Sequence, residues 1–440
     1  MTTSSNSRTR RTVSIHDLKP YEKNPLRYPK KQLRKIEALI RQHGQIPLIL
    51  VTSDLTIISG EDWWLALKQA GKTEVTVEVL ADLTAAEANT VRLALGRLPL
   101  DARLDPDRLR AEFVALQAQG IDLDLTGFDH AEIDLSLEID MPRANILESF
   151  DEIPEREDRA ISRLGDGFQL GRSRVGCGDA RDQDFVDWLR DGTEASVCIT
   201  DPPYNLRFSD FGFGKGRHRH GDFLEASGEM SDAEFGSFLC DSLRVLASAS
   251  ASSALIYAFM DWRHIFELTA AGRFLEMPLL DLAVWAKPNG GLGGLYRSAH
   301  ELCAVFKAGI EPHRNNVELG KYGRNRTNVW EYAPPSSNDK LLGAHPTVKP
   351  TAMLADILRD CTKRGDLVID TFLGSGSTLM AAEETGRTCV GTEIDPYYVD
   401  VTIRRWQALT GQAAIHLGTG RPFDELGQHL LTYQGGQHDA

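Results

Sequence analysis

The segment Asp201-Pro202-Pro203-Tyr204 combines an acid, two consecutive prolines and an aromatic ring within four residues. The prolines end the preceding apolar run, and because their nitrogens carry no hydrogen, nearby carbonyl groups remain free to accept hydrogen bonds. Asp201 and the Pro202 carbonyl would accept the two N–H groups of an exocyclic amine, and Tyr204 would stack on the ring that carries it. The alternative interpretation is a strand-ending turn beside a surface acid.

A second segment, residues 370–378, has the composition of a nucleotide-binding turn. It follows the apolar run Leu367–Ile369 and begins a predicted helix that ends near Glu384, and its glycines let a ligand approach the free N–H groups there. Glu393 lies 17 residues after Gly376 and ends the next apolar run, where a nucleotide site places a carboxylate on ribose hydroxyls. The absence of a complete GxGxxG and of a Walker lysine argues against NAD and ATP.

Both segments follow apolar runs in the C-terminal part of the chain. The predicted strands are Ala195–Thr200, Ser253–Phe259, Leu280–Ala286, Leu302–Lys307, Leu367–Asp370 and Thr388–Glu393. Several are uninterrupted apolar runs, as in parallel strands that are buried on both faces, and helical stretches lie between them. The alternation predicts an α/β fold with a doubly wound, mostly parallel sheet.

The charge of the chain is unevenly distributed. With 440 residues, two to three domains are expected. The formal net charge of −14 argues against a nonspecific coat on nucleic acid or on an anionic membrane. Residues 1–41 nevertheless carry eleven Lys/Arg against three Asp/Glu, whereas residues 81–160 carry eight against nineteen. The average therefore hides a basic arm and an acidic connector.

Nothing in the sequence predicts export or a membrane partner. Met1–Arg11 is polar and basic without an apolar core, and Val245–Met260, the longest uncharged apolar-leaning run, is shorter than the ~20 residues that a span needs. The six cysteines form no CxxC pair. A cytoplasmic protein with reduced cysteines is expected.

Taken together, these residues resemble the S-adenosylmethionine-dependent amino-methyltransferases of DNA. Asp201-Pro202-Pro203-Tyr204 resembles the catalytic motif of the family and Phe372-x-Gly374-Ser375-Gly376 its cofactor motif, in the order of the β group. The other matching segments are Gly178-Asp179, His300-Glu301, Asn328-Val329-Trp330, His345-Pro346-Thr347-Val348-Lys349-Pro350 and Asp395-Pro396-Tyr397-Tyr398. The resemblance covers roughly residues 160–420 and implies a Rossmann-like methyltransferase fold.

The resemblance also implies the site residues and the cofactor, S-adenosylmethionine. The catalytic residues would be Asp201, Pro202, Pro203 and Tyr204. The cofactor-binding residues would be Asp179, Asp370, Phe372, Gly374, Ser375, Gly376, Thr378, Glu393, Asp395, His345 and Lys349. An amine that attacks the sulfonium methyl in line needs no enzyme nucleophile, in agreement with the absence of a Pro-Cys dipeptide. The target base must leave the duplex, which implies base flipping.

The implied substrate is double-stranded DNA, read in a sequence-specific manner as in restriction–modification systems. The Asp-Pro-Pro-Tyr motif favours N6 of adenine. N4 of cytosine is the alternative, since those members more often have Ser at the first position, and a protein-glutamine methyltransferase would resemble Asn-Pro-Pro-Tyr instead. A ParB-like DNA-binding protein with a vestigial methyltransferase half is disfavoured because both motif cores are intact.

Two basic stretches are candidates for DNA contact. The glycine-rich loop 205–220 lies beside the catalytic turn, and a second stretch lies between the two motif halves. The DNA-binding candidates are Arg207, Lys215, Arg217, Arg219, Arg324 and Arg326. The alternative is an exposed, solvated loop. No metal site is predicted, because His218, His220 and His313 have no carboxylate or thiol at a ligand spacing.

The N-terminal part resembles a ParB-like domain over residues 13–98. The resemblance rests on Leu18-Lys19-Pro20-Tyr21-x-x-Asn24-Pro25, Gly44-Gln45-x-Pro47-Leu48, Ile57-Ile58-Ser59-Gly60-Glu61 followed by Leu65-Ala66, and Asp82-Leu83-Thr84-x-x-Glu87-Ala88. Asp62-Trp63-Trp64 occupies the stretch where the family often has His or Arg for phosphate contact. A DNA-contacting or positioning module is expected, against a purely structural one, with both tryptophans in the core.

The remaining boundaries follow from composition. Residues 1–12 are predicted as a disordered basic tail, 99–160 as an acidic helical connector and linker, 161–425 as the methyltransferase domain and 426–440 as a tail. Within the connector, helices are predicted over 107–119 and 129–137. The resemblance further implies a bacterial or phage-encoded, nucleoid-associated protein, and a homodimer is one expectation because many members of the group dimerise.

Overall fold

The structure is a computed structural model that describes residues 8–138, 160–206, 226–288, 290, 296–317, 326–334 and 348–432. It divides into two units, Met1–Asp140 and Met141–Ala440. Each unit has a hydrophobic core of its own.

The front unit contains a four-stranded sheet. Its strands are β1 (Arg8–Ser14), β2 (Ile49–Thr52), β3 (Ile57–Ser59) and β4 (Glu74–Leu80), in the order β1-β4-β2-β3. The whole of β1 pairs antiparallel with β4, so the predicted disordered tail is wrong for residues 8–12. An exposed edge strand is held by backbone pairing and does not need apolar side chains. Arg10 faces Glu78 across the strand pair, with Arg10 Nε 3.8 Å from Glu78 Oε1.

Three helices pack on this sheet: α1 (Lys30–His43), α2 (Glu61–Gln69) and α3 (Ala85–Arg97). A capping box begins α3, since the Thr84 N–H donates to Glu87 at 2.8 Å and the Glu87 N–H donates to Thr84 at 3.3 Å. Trp64 lies in the core, and its indole N–H donates to the Ile15 carbonyl at 2.9 Å. Trp63 packs against the same core.

The acidic segment forms a small helical module. Its helices are α4 (Pro106–Ala118) and α5 (His130–Glu138), close to the predicted ranges. Phe113, Leu123 and Ile133 form its core. Asp129, directly before α5, pairs with Lys31 of α1 at 3.0 Å. The segment therefore packs as a folded module rather than serving only as a connector.

The large unit contains a ten-stranded sheet. Its strands are β5 (Gly167–Leu170), β6 (Ser173–Cys177), β7 (Ala195–Thr200), β8 (Ser250–Met260), β9 (Leu279–Ala286), β10 (His300–Lys307), β11 (Val329–Glu331), β12 (Leu367–Asp370), β13 (Thr388–Glu393) and β14 (Ile415–His416). The order is β11-β9-β10-β8-β7-β12-β13-β6-β5-β14. The five strands from β8 to β6 are parallel, whereas β10 runs antiparallel to both β8 and β9.

Helices cover both faces of the large sheet. They are α6 (Gln183–Arg190), α7 (Asp232–Ser248), α8 (Ile265–Phe274), α9 (Thr351–Cys361), α10 (Ser377–Thr385), α11 (Pro396–Thr410) and α12 (Phe423–Thr432). Val197 of β7 packs with α9, α10 and α11, whereas Cys198 packs with α6, α7 and α8. Because successive strand residues face opposite sides, these two cores lie on opposite faces. The predicted doubly wound, mostly parallel fold is confirmed, and α12 continues into the predicted tail 426–440.

Candidate active site

The two motif segments meet at one edge of the large sheet. Strand β7 lies beside β12 in parallel, with Cys198 opposite Ile369, and β12 lies beside β13, with Asp370 opposite Gly391. The carboxyl ends of neighbouring parallel strands face the same edge, which is where α/β sheets bind ligands. The Asp201–Tyr204 turn after β7, which is predicted to be catalytic and is called the catalytic turn below, therefore lies together with the glycine turn after β12 and with Glu393 at the end of β13.

The catalytic turn is held in a fixed conformation. The Tyr204 hydroxyl donates to Asp201 Oδ1 at 2.7 Å. Asn205 follows with a φ of +51°, and its side chain donates to the Met230 carbonyl at 2.9 Å and accepts from the Gly228 N–H at 3.0 Å. These bonds tie the turn to the segment that precedes α7. The side chains of Asp201 and Tyr204 thus have defined positions before any substrate arrives.

A buried cluster of charged side chains surrounds Asp201. Lys349 Nζ contacts Asp201 Oδ2 and lies 3.1 Å from Glu301 Oε2, and the Tyr204 hydroxyl oxygen lies 3.0 Å from the same Glu301 oxygen. Lys287 binds the other oxygen of Glu301. The Lys349 side chain is only 5% exposed. This placement argues against the cofactor-binding role predicted for Lys349, because its ammonium contacts Asp201. Neither Glu301 nor Lys287 is among the residues predicted for the site.

The cluster shifts the titration of its members. Burial raises the pKa of Asp201, and the Lys349 ammonium opposes this effect. Burial acts in the same direction on Glu301, but Lys349 and Lys287 lower the pKa of Glu301 to about 2. Burial disfavours the ammonium of Lys349, yet Asp201 and Glu301 raise its pKa above the ordinary value. At neutral pH the cluster therefore contains an ionised Glu301 and a charged Lys349.

The glycine turn is organised by two buried carboxylates. Glu393 accepts from the backbone N–H groups of Gly374 at 2.9 Å and Asp395 at 2.8 Å. Asp370 accepts from the Phe372 N–H at 3.0 Å and from the Thr378 hydroxyl at 2.7 Å. Each carboxylate keeps unused acceptor capacity, which suits a ligand that carries hydroxyl groups.

Gly376 is required by the backbone and by its surroundings. Its φ is +87°, and a Cβ added there would lie 2.8 Å from Thr402 Cγ2. We expect Gly376→Ala to lower the free energy of unfolding by about 2–4 kcal/mol, measured by urea denaturation. Gly411→Ala is the control, because its φ of +69° is similar but nothing lies within 4 Å of the added Cβ. Equal losses in the two variants would contradict the steric argument.

Burial also gives Asp370 a testable titration. It raises the pKa of Asp370 to about 7 from an ordinary value of 3.8. Protonated Asp370 therefore contributes stability that is fully present below about pH 4 and is lost as the pH rises through about 7. The Asp370→Asn variant has no such loss, and its side chain keeps an acceptor for the Phe372 N–H.

We expect the free energy of unfolding of Asp370→Asn, relative to the unsubstituted chain, to increase on the order of 3 kcal/mol between about pH 4 and pH 8. The exposed Asp232→Asn, in the first turn of α7, is the control. Denaturant titrations at several pH values measure the difference. A difference that does not change with pH would contradict the buried, protonated state of Asp370.

The other predicted cofactor residues occupy different positions around this edge. The Gly178 N–H donates to the Glu393 carbonyl at 3.0 Å, which brings Asp179 to the same edge. The Asp179 carboxylate binds the guanidinium of Arg181, at 2.6 Å to Nη2. Burial acts against the ionised form, but the Arg181 hydrogen bonds lower the pKa of Asp179. Asp395 caps α11 by accepting from the Tyr397 N–H at 2.9 Å.

Two further predicted residues pack around the glycine turn. Phe372 packs against the ring of Phe238, with centroids 5.8 Å apart. Ser375 is buried, and its carbonyl accepts from Arg405 at 2.9 Å. Both residues therefore hold the turn in place from the protein side.

Most of the predicted DNA contacts lie outside the described residues, namely Arg207, Lys215, Arg217, Arg219 and Arg324. The cofactor candidate His345 also lies outside them. Arg326 is described, and its placement argues against the predicted role. Its guanidinium donates to the Tyr332 hydroxyl at 2.8 Å and pairs with Asp356 at 3.2 Å and Asp360 at 2.7 Å. The Arg326 guanidinium, which was expected to contact phosphate, is thus paired with two carboxylates of α9.

Comparison with known proteins agrees with this geometry. Residues 195–404 match the family model described as DNA methylase, of the N6/N4 type. The match includes the catalytic turn, the glycine turn and Glu393. These 210 of the 440 residues are therefore similar to DNA methylases and are called the DNA methylase domain below. A second model, the ParB-methyltransferase HTH domain, matches residues 107–164.

The DNA methylase domain is similar to several characterised proteins. The Type II methyltransferase M2.MboI of Moraxella bovis is 24% identical over 234 residues, which are 52% of this chain and 85% of that protein. The PvuII DNA methyltransferase (cytosine-N4-specific) is 15% identical, with a TM-score of 0.42 over 59% of this chain and 94% of that one. The M1.HpyAVI–SAM complex is 19% identical, with a TM-score of 0.39 over 52% and 97%.

The chain is also similar to a ParB-type protein. The partitioning protein ParB of Caulobacter crescentus, complexed with CTP-gamma-S, is 18% identical, with a TM-score of 0.27 over 32% of this chain and 83% of that one. The HTH match over 107–164 includes α4 and α5. Both helices are predicted from the sequence, but a helix-turn-helix is not. The signal for one was two short helices close together in the chain.

The part of the chain that the structure describes contains no helix long and apolar enough to cross a membrane. Within the same residues, no group of three or more His, Cys, Asp and Glu side chains is arranged to hold a metal ion.

Proposed function

We propose that the chain is a sequence-specific DNA methyltransferase that transfers a methyl group from S-adenosylmethionine to the exocyclic N6 of adenine. The observation that carries the proposal is the juxtaposition of the Asp201–Tyr204 turn, the glycine turn and Glu393 at one edge of the sheet. The first provides acceptors for an amine, and the other two provide a seat for a nucleoside. The match of residues 195–404 to DNA methylases supports the same reaction.

The residues around the glycine turn fit the cofactor. Glu393 and Asp370 present carboxylates suited to hydroxyl groups, and burial raises the pKa of Glu393 to about 7. Gly391 lets the Leu373 side chain of the glycine turn pack directly against β13, because an added Cβ would lie 2.6 Å from Leu373. When bound, S-adenosylmethionine supplies an electrophilic methyl group. The carboxylates of Glu393 and Asp370 at the glycine turn would bind and orient the cofactor.

The catalytic turn prepares the amine of a flipped base. Asp201 and the Pro202 carbonyl accept its two N–H hydrogens, which shifts electron density onto nitrogen, and Tyr204 stacks on the ring. The reaction releases one proton, and the Asp201 carboxylate is placed to accept it. Holding the amine in attack geometry contributes several kcal/mol, within the ~7–11 kcal/mol available to ideal orientation. No nucleophile on the protein takes part.

Adenine is proposed over cytosine because of the Asp at position 201, with N4 of cytosine as the second candidate. Long-read sequencing of DNA from an expressing host without other methyltransferases identifies the modified base and the recognition sequence together. N6-methyladenine at one motif is expected. Detection of N4-methylcytosine would identify cytosine instead of adenine as the target base. Unmodified DNA would contradict the proposed activity.

We propose that residues 107–164 and the ParB-like residues 13–98 place the enzyme on DNA in the bacterial or phage-infected cytoplasm. The match of 107–164 to an HTH domain of ParB-type methyltransferases supports a DNA-contacting role. Restriction–modification, nucleoid association and a homodimer remain part of the proposal. Light scattering of the full chain, with and without DNA, tests the dimer.

A further inference from the structure

Lys349 is nearly enclosed, with its side chain 5% exposed. Nζ contacts Asp201 and lies 3.1 Å from Glu301. It also lies 5.0 Å from the ring centroid of Phe259, 5.6 Å from that of Tyr204 and 5.9 Å from that of Trp285. Aromatic faces at these distances attract a cation. A lysine held by two carboxylates and three rings is fixed in place and does not reach out to a ligand.

We propose that Lys349 and Glu301 are positioning residues that set the charge on Asp201 in opposite senses. The positive charge of Lys349 favours the ionised form of Asp201, which can then accept hydrogen bonds. The negative charge of Glu301, which contacts the same ammonium, weakens this effect of Lys349 on Asp201. The inference rests on the proposed function, because it assigns these residues to the acceptor of the target amine.

The hydrogen bonds of Asp201 leave room for a substrate. Tyr204 binds Oδ1 and Lys349 binds Oδ2, and each carboxylate oxygen accepts more than one hydrogen bond. The Asp201 side chain is 18% exposed, whereas that of Lys349 is 5% exposed. A target amine can therefore reach Asp201 while Lys349 stays where it is. Lys349 acts through Asp201 and not on the base.

Glu301 is anchored independently of Asp201. It lies near the start of β10, and Lys287 directly follows β9; these strands pair with His300 opposite Ala286. Lys287 binds one oxygen of Glu301, and Lys349 and Tyr204 share the other. Glu301 consequently fixes the ammonium that touches Asp201, and it lies beside the Tyr204 hydroxyl, whose one proton is donated to Asp201.

The remaining titratable groups around Asp201 do not change the signs of these effects. Cys303 of β10 faces the cluster, and burial raises the pKa of its thiol so that it stays neutral. Asp370 at the end of β12 adds a negative potential when ionised. Removing the Lys349 charge therefore favours protonated Asp201, and removing the Glu301 charge favours ionised Asp201.

The test is the pH dependence of the single-turnover rate of methyl transfer in the full chain. We expect the acidic limb of the profile to move to higher pH by at least one unit in Lys349→Met, and to lower pH in Glu301→Gln. Lys349→Arg should return the limb toward its original position. If Lys349→Met does not fold, Lys287→Met replaces it, with a smaller shift to higher pH.

Binding of labelled S-adenosylmethionine, unchanged in each variant, shows that the cofactor seat is intact. A merely structural role would lower the rate at every pH without moving the limb. Limbs that stay in place, or that move in the same direction in Lys349→Met and Glu301→Gln, would overturn the inference while methyl transfer by the unsubstituted enzyme stands. An unsubstituted enzyme that transfers no methyl group would overturn the proposed function and the inference with it.

Discussion

Replacing Asp201 with alanine is expected to abolish methyl transfer while S-adenosylmethionine still binds. The substitution removes the acceptor for the target amine and leaves Lys349 with Glu301 as its only carboxylate partner among the contacts described. The combined loss of orientation and electrostatic stabilisation should lower the rate by at least about a thousandfold. A methyl-transfer assay with the recognised DNA measures the rate, and equilibrium dialysis measures cofactor affinity.

Asp201→Asn is the matched variant. Its amide keeps an acceptor for the Tyr204 hydroxyl but loses the negative charge, so it separates the hydrogen bond from the charge. We expect activity between that of the unsubstituted enzyme and that of Asp201→Ala. Wild-type activity in Asp201→Ala would show that the chemistry is assigned to the wrong turn.

The second large effect is expected on cofactor binding. Glu393→Ala removes a buried carboxylate that accepts from the N–H groups of Gly374 and Asp395 and faces the proposed ribose. Loss of a charged acceptor to ligand hydroxyls costs about 1.5–3 kcal/mol, which corresponds to roughly a tenfold to hundredfold weaker affinity for S-adenosylmethionine. Isothermal titration calorimetry measures it directly.

Glu425→Ala is the control for this experiment, because Glu425 is 55% exposed on α12. Circular dichroism establishes that both variants are folded. If Glu393→Ala binds the cofactor as tightly as Glu425→Ala does, Glu393 has no part in the cofactor site.

Much of the central sheet was predictable because buried parallel strands are uninterrupted apolar runs. The strands Ala195–Thr200, Leu367–Asp370 and Thr388–Glu393 have the predicted bounds, and the motif segments directly follow them. The outer strands β5 and β6 are short and contain polar residues and glycine, so they have no such signal. The same reason explains β1, whose basic residues resemble those of a disordered tail.

The charged cluster was not predictable from spacing. Lys349 lies 148 residues from Asp201, and the two meet only because the segment before α9 reaches the carboxyl end of β7. Glu301 reaches this edge because β10 runs antiparallel to its neighbours, so that its beginning lies where the parallel strands end. Arg326 likewise shows a charge whose partners, Asp356 and Asp360, depend on tertiary packing.

The helical module after α3 was underestimated for a different reason. Its acidic composition suggested a connector, and its core is small, consisting of Phe113, Leu123 and Ile133. In the structure Asp105 caps α4 by accepting from the Arg108 N–H at 3.1 Å. The existence of the two helices was readable from the sequence. The packing that turns two helices into a module was not.

Four ionisable side chains form the cluster at the catalytic turn, namely Asp201, Glu301, Lys287 and Lys349. When all four are charged, their charges sum to zero. Such a closed, buried arrangement is hardly screened by dissolved ions, whereas phosphate contacts on the surface are screened over a Debye length of about 8–10 Å. Ionic strength should therefore divide the reaction into two parts. Added salt would slow the capture of DNA and leave the rate of the methyl-transfer step on DNA already bound nearly constant.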